Sequence, residues 1–332
     1  MPMDKHSIPF LVFESVKTEY RILKTFRTHP DQWVRKLADE IEIYTPGNEN
    51  VSPFRFNPLD PAPRISGEEH SDNILACFLA AMPLPGPLFP ILGEALERVY
   101  EEHPEREKPP IMADLVRAAE QVLAEKRYSA ETNSDIRGAL DTRLGLLTRR
   151  SIGRVFQCRR SIPSIDHLMK VPAIIELDRL PRDQACLLTL FILTGIREYL
   201  RTASRANRTP RYIIIIEEAH NIVGSAGEAR ASADVADPKA FAAEYVCRML
   251  AEIRALGVGM IIVDQLPSAV APEVIKNTAT KVTLRQQDKN EREVLGASML
   301  MDPMENEDLG RLKVGEAFII AEGYHKPRRI TI

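Results

Sequence analysis

A chain of 332 residues with a formal net charge of −3 has room for one large α/β core with an added lobe, or for two domains, and lacks the global basic signature of a nucleic-acid binder. No apolar run reaches the ~18 residues of a membrane span, and the opening MPMDKHSIPF has neither the basic lead nor the long apolar stretch of a secretory signal. Cys77, Cys158, Cys186 and Cys247 are scattered and form no CxxC pair, which predicts free thiols in a cytoplasmic protein.

The first element expected is a buried strand in IPFLVFES, residues 8–15, with VKTEYRIL following as a loop or helix start. A second short strand is expected in IEIYTP, residues 41–46. The segment NVSPFRFNPLDPAPRISG is rich in proline and turn formers and predicts an irregular excursion. Helices are expected over 72–82, 88–102 and 111–127, and one more in TNSDIRGALDTRLGLL after an Asn or Ser cap. These make a mainly helical lobe, so the domains read as 1–63, a helical insertion over 64–165, and 166–332.

The sheet pattern returns in PAIIELD, residues 172–178, followed by a long helix around RDQACLLTLFILTGIREYL. A strand over 212–216 comes next, then a polar loop from Gly224, then a helix with Phe241, Tyr245, Met249 and Ile253 at helical spacing. GVGMIIVDQLPS supplies another strand, TKVTLRQQ a short one, and GEAFIIAEG with RRITI a closing hairpin. Alternating strands and helices are the rhythm of an α/β nucleotide-binding core.

The most informative stretch is RYIIIIEEAHNIVG, where four isoleucines run into Glu217 and Glu218. Without polar alternation the strand should be buried on both faces, inside a parallel sheet. Adjacent residues at its end point in different directions, so one carboxylate can hold the hydration shell of Mg²⁺ while the other orients a water. The same pair also suits a solvated strand exit, with Glu218 or His220 helping to cap a helix. The motif alone leaves both readings open.

The chain resembles the HerA and FtsK branch of ring-forming ATPases, and most of all HerA-type proteins. YIIIIEEAH is similar to the branch's Walker B strand, AEIRALGVGMIIVDQLPSAV to its arginine helix and sensor strand, VIKNTATKVTLR to the next segment, and IPFLVFESVKTEYR to its second core strand with an acidic exit. The resemblance implies an α/β, RecA-like P-loop NTPase core with a mainly helical insertion, ATP and Mg²⁺ as ligands, and movement on double-stranded DNA. It further implies a homo-oligomeric ring, a hexamer, partnered by a nuclease or defence effector; the short apolar runs add the expectation of no membrane partner. By matching position, Glu217 holds the metal, Glu218 polarises the attacking water, Gln265 is the polar sensor, and Arg254 reaches a neighbouring subunit's nucleotide, with Arg285 a second arginine candidate. Asp264 replaces the Thr or Ser that the family carries before this Gln.

One departure is plain: GxxxxGK[ST] occurs nowhere in the chain. The runs GSAGEA and GVGM lack the Gly-Lys-Ser/Thr that follows an amide cradle. The expectation is an ATPase core whose first strand, phosphate loop and first helix are missing, with little turnover alone. The alternatives are an assembly or regulatory subunit with a degenerate nucleotide site, and a small-molecule kinase on a similar sheet. Two arginine-rich stretches, residues 140–160 and 197–211, are candidates for phosphate contact in a channel. The second supplies Arg201, Arg205 and Arg208 as the DNA-binding candidates.

Overall fold

The computed structural model describes residues 8–82, 84, 86–202, 211–222 and 238–332, with side chains in the last of these stretches from 244 onward. They fall into two compact units, one formed by 1–218 with 231–263 and the other by 219–230 with 264–332.

The first unit is built on five parallel strands: β1 (Phe10–Glu14), β2 (Glu42–Tyr44), β3 (Ala173–Glu176), β4 (Tyr212–Glu217) and β5 (Val258–Val263), in the order β2-β3-β1-β4-β5. β1 and β3, with FLVFE and AIIE, are buried on both faces, as a parallel sheet covered by helices requires. β4 alternates between full and partial burial, so its IIII run has one face sealed more tightly than the other. The strands expected at 8–15, 41–46 and 172–178 are present and shorter at their ends, and the one expected at 212–216 runs one residue further, to Glu217.

Between β1 and β2 run a 3₁₀ segment, Glu19–Thr28, and α1 (Gln32–Glu40), whose start Asp31 caps by accepting from the Trp33 amide. α1 was not expected from the sequence. Tyr20, Leu23 and Leu37 of this layer pack on Val12, Ile41 and Ile174. The helical lobe contains α2 (Gly67–Ala81), α3 (Leu88–Glu102), α4 (Met112–Glu125), α5 (Ala130–Arg143) and α6 (Arg150–Phe156). Ser66 caps α2, and Ser129 caps α5, three residues ahead of the expected TNS start. A single turn, α7 (Ile165–Leu168), then leads to β3.

α8 (Arg182–Thr202) is buried on nearly every side from Cys186 to Glu198 and packs against α2 and α9 (Pro238–Ala255). A helix apolar all round is a core helix. Met249 and Ile253 of α9 are fully buried, in keeping with the helical spacing read from the sequence. The polar loop from Gly224 lies outside the described residues.

The second unit contains α10 (Pro272–Asn277), β6 (Lys281–Thr283), α11 (Lys289–Met299), α12 (Pro303–Leu309), β7 (Glu316–Ile320) and β8 (Arg328–Thr331). β6-β7-β8 form an antiparallel sheet in which β7 and β8 are the expected hairpin. Its core is Met299, Leu309, Leu312, Phe318 and Ile320. Asp288 caps α11, and a capping box of Asp302 and Glu305 starts α12. Neither helix was expected, because their apolar faces are short and irregular.

Candidate functional site

Three apolar runs in the first unit each stop at a glutamate: FLVFE at Glu14, AIIE at Glu176, YIIIIE at Glu217. The parallel register aligns Glu14 with Glu176, and Glu217 falls one step beyond the paired Phe13 and Ile216. Side chains in one row of a parallel sheet project from the same face. The three carboxylates therefore form one row at the carboxyl ends of neighbouring strands.

The turn that follows β1 covers this row with three consecutive residues. The Glu19 amide donates to Glu14 Oε1 at 2.7 Å, the Tyr20 hydroxyl to Glu217 Oε1 at 2.5 Å, and the Arg21 guanidinium to both oxygens of Glu176 at 2.6 and 2.5 Å. Thr45, just past β2, adds a hydroxyl to Glu176 at 2.7 Å, and Ser15 donates to the Glu217 carbonyl at 3.0 Å. Arg21 meets Glu176 as a planar fork, the strongest form of carboxylate pairing.

One buried oxygen of the row has no donor. Glu14 is 1% exposed and its Oε2 is a buried atom with no hydrogen-bond partner in the structure. Burial pushes the Glu14 carboxyl up to about 7, and the nearby Glu176 and Glu217 charges push the same way against the Glu19 amide. Burial, then the bond to Glu217, likewise raises the Tyr20 phenol above its ordinary value. It stays a donor at neutral pH.

Glu218 follows immediately with φ +48°, in the left-handed region that disfavours side chains. The chain bends there, so Glu217 and Glu218 leave the strand in different directions. Non-glycine residues held in such conformations cost roughly 1–3 kcal/mol and concentrate at functional sites.

Arg254 lies in the last turn of α9, before β5 begins at Val258. Val258 pairs with Tyr212 at the start of β4 and Val263 with Glu217 at its end. Arg254 is thus at the amino-terminal edge of the sheet, separated from the acid row by a strand length on the order of 16 Å. The fold does not bring it to the carboxylate row of its own chain. Arg201, in the last turn of α8, pairs with Glu69 of α2, while Arg205 and Arg208 lie outside the described residues.

Gln265 and Arg285 belong to the second unit, and both are exposed. Asp264 there accepts from the His220 amide at 2.8 Å, the His220 ring at 3.0 Å and the Leu266 amide at 2.8 Å. Where the resemblance leads one to expect Thr or Ser, this aspartate organises the turn that carries Gln265. A cavity of 560 Å³ elsewhere in the first unit is lined by Asn57, His70, Tyr100, Arg106, Arg160 and Tyr199, and by none of the acids above.

Sequence reasoning found Glu217 and Glu218 but gave no role to Glu14, Tyr20, Arg21 or Glu176. The available signal was the repeated ending of an apolar strand in a single Glu. No helix among the described residues is long and apolar enough to cross a membrane.

No family model and no curated protein matches the sequence. Solved structures do match in fold. VirB4 of Thermoanaerobacter pseudethanolicus is similar at a TM-score of 0.62 and 18% identity, over 98% of this chain and 81% of that one. The bacterial conjugative coupling protein TrwB in its unbound form is similar at 0.58 and 10% identity, over 98% and 84%. TrwB in complex with ADP and Mg²⁺ is similar at 0.57 and 11% identity, over 97% and 84%. The architecture, a parallel sheet core with helical lobes, is the RecA-like P-loop NTPase fold seen in these structures.

Proposed function

We propose that the carboxyl ends of β1, β3 and β4 form the acid-bearing half of an ATP-hydrolysing site, in a ring-forming ATPase of the HerA and FtsK type that moves double-stranded DNA. The observation that carries this reading is the pair Glu217 and Glu218, consecutive in sequence but sent in different directions by the left-handed bend. Glu217, fixed through one oxygen by Tyr20, suits the metal-holding role. Glu218, beyond the strand end, suits the polarising of a water. TrwB has been solved with ADP and Mg²⁺, and this is the ligand pair carried over here. Bound Mg²⁺ would offset negative charge on the phosphate oxygens.

The phosphate cradle does not fit the residues present, since no Gly-Lys-Ser/Thr loop occurs in the 332 residues. We assign it to a strand, glycine-rich loop and helix that pair along the outer edge of β5. That strand, VGMIIV, is wholly apolar, yet among the described residues its outer edge has no partner strand. Ile261 and Val263 are 46% and 45% exposed, an unusual state for a strand of this composition. Val263 is also the register partner of Glu217, so a unit added there would end beside the acids.

In the assembled ring, a hexamer, Arg254 serves a neighbour's nucleotide, which its distance from the carboxylate row of its own chain favours. Gln265 is the sensor, Arg285 a second arginine at the nucleotide, and Arg201, Arg205 and Arg208 line the DNA path. The helical residues 64–165 are an insertion in the core, and the partner is a nuclease or defence effector. The test is ATP turnover by the 332-residue chain alone and by a version extended ahead of Ile8 with such a strand, loop and helix. Turnover by the extended version only is expected; robust turnover by the unextended, homogeneous chain would overturn the composite site. A second reading, a regulatory or assembly subunit without hydrolysis, is favoured by the missing Gly-Lys motif and predicts no turnover in either version.

A further inference from the structure

We infer that Glu14 and Glu217 together bind one divalent cation, with Glu14 Oε2 as the ligand atom that makes the site. This rests on the metal-holding role proposed for Glu217 and is independent of nucleotide hydrolysis.

The geometry has two separate parts. First, the strand register sets Glu14 and Glu217 side by side in one row, on strands about 4.8 Å apart and on the same face. Second, the capping turn occupies four oxygens of the row: Glu14 Oε1 by an amide, Glu217 Oε1 by Tyr20, both Glu176 oxygens by Arg21. Within the row, Glu14 Oε2 stays buried without a donor. A buried carboxylate oxygen without a partner calls for a water or an ion.

Charge decides between the two. Arg21 pairs with Glu176, and the Lys17 ammonium near Glu217 is exposed and paired with Glu19, so the ionised row keeps an excess of negative charge that a neutral water leaves in place. Hard cations of the Mg²⁺ kind take oxygen ligands, use one or two carboxylates and keep several waters, which matches two glutamates at a strand end. Tyr20 is then a positioning residue, since its hydroxyl holds one Glu217 oxygen and leaves the other outside that bond. Glu176, neutralised by Arg21 and hydrogen-bonded by Thr45, stays out of the site.

The probe is Mn²⁺ alone, without nucleotide, added to the chelator-treated 332-residue chain at pH 8 and followed by electron paramagnetic resonance. One Mn²⁺ per chain is expected, with affinity reduced about tenfold or more in Glu14→Gln and in Glu217→Gln. In parallel, Mn²⁺ should raise the Tm of the wild type, a readout that needs no variant to fold. No bound Mn²⁺, no rise in wild-type Tm, or an unchanged affinity in a folded Glu14→Gln would each overturn the inference. An extended version, carrying the added strand, loop and helix, that binds Mn²⁺ through Glu14 but never turns over ATP would refute the hydrolytic reading and leave the cation site standing.

Discussion

Tyr20 donates its hydroxyl to Glu217 Oε1 at 2.5 Å across 197 residues of sequence, and so ties the turn after β1 to the end of β4. The contact gives Glu217 a fixed orientation that the EE pair does not reveal in the sequence. Tyr20→Phe keeps the ring and removes the bond. A loss of roughly 1.5–3 kcal/mol is expected in urea unfolding, the range for a hydrogen bond to a charged group. A change within experimental error would show that the contact does not constrain Glu217.

Glu14 imposes a pH dependence whose sign follows from its raised carboxyl. In the folded chain it holds its proton up to about pH 7, whereas in the unfolded chain it releases it near the ordinary value of 4.5. Its neutral form is therefore compatible with burial below about pH 4.5, and that contribution is lost as pH rises towards 7. In chelator-treated buffer, Glu14→Gln should flatten this fall and be more stable than wild type at pH 8. Parallel slopes for the two proteins in urea unfolding at pH 5 and 8 would contradict it.

The helical lobe contains a buried hydrogen-bonded pair, His70 with Glu198. His70 of α2 places Nδ1 against Glu198 of α8 at 2.8 Å and Nε2 against the Pro58 carbonyl at 2.8 Å, and Asn73 donates to the same carboxylate at 3.0 Å. His70→Ala should cost roughly 3–5 kcal/mol, because it leaves Glu198 buried and short of its partner. The carboxyl is held below its ordinary value by His70, Asn73 and the Ala62 amide, against the effect of burial. Its contribution is thus present near neutral pH and lost as pH falls through that lowered value. Thermal melts of both proteins across acid pH measure this directly.

Arg201 already has an intramolecular partner in Glu69, and both side chains are substantially exposed. Arg201→Ala alone should change stability by less than about 1 kcal/mol. Replacing Arg201, Arg205 and Arg208 together should weaken DNA binding by the assembled, extended protein across all sequences and reduce its salt slope. An unchanged slope would remove this segment from the DNA path.

Most of the strand skeleton was legible, because FLVFE, AIIE and YIIIIE are apolar runs that only a buried strand explains. The helices α3 and α4 were legible through their periodic apolar faces and the prolines around them. The layer from Glu19 to Glu40 was not: its 3₁₀ segment has no buried residue and α1 buries only Ala38. The site was half legible for the same reason. EE is visible as a motif, but the carboxylate row arises from three strands brought together by register, and its caps come from the layer with the weakest signal. The strained backbone at Glu218 also has no sequence signature, since glycine or asparagine is the usual marker of that conformation.

The most direct test of the acid pair is phosphate release by the extended protein, compared with the same protein carrying Glu218→Gln, with nucleotide binding, folding and assembly checked in both. Gln nearly preserves the shape of the side chain and removes the carboxylate that orients water. Binding should survive while steady-state hydrolysis falls by about 100-fold or more, the scale of a lost general base. An unchanged rate in Glu218→Gln would contradict the assignment and return Glu217 and Glu218 to the role of a solvated strand exit.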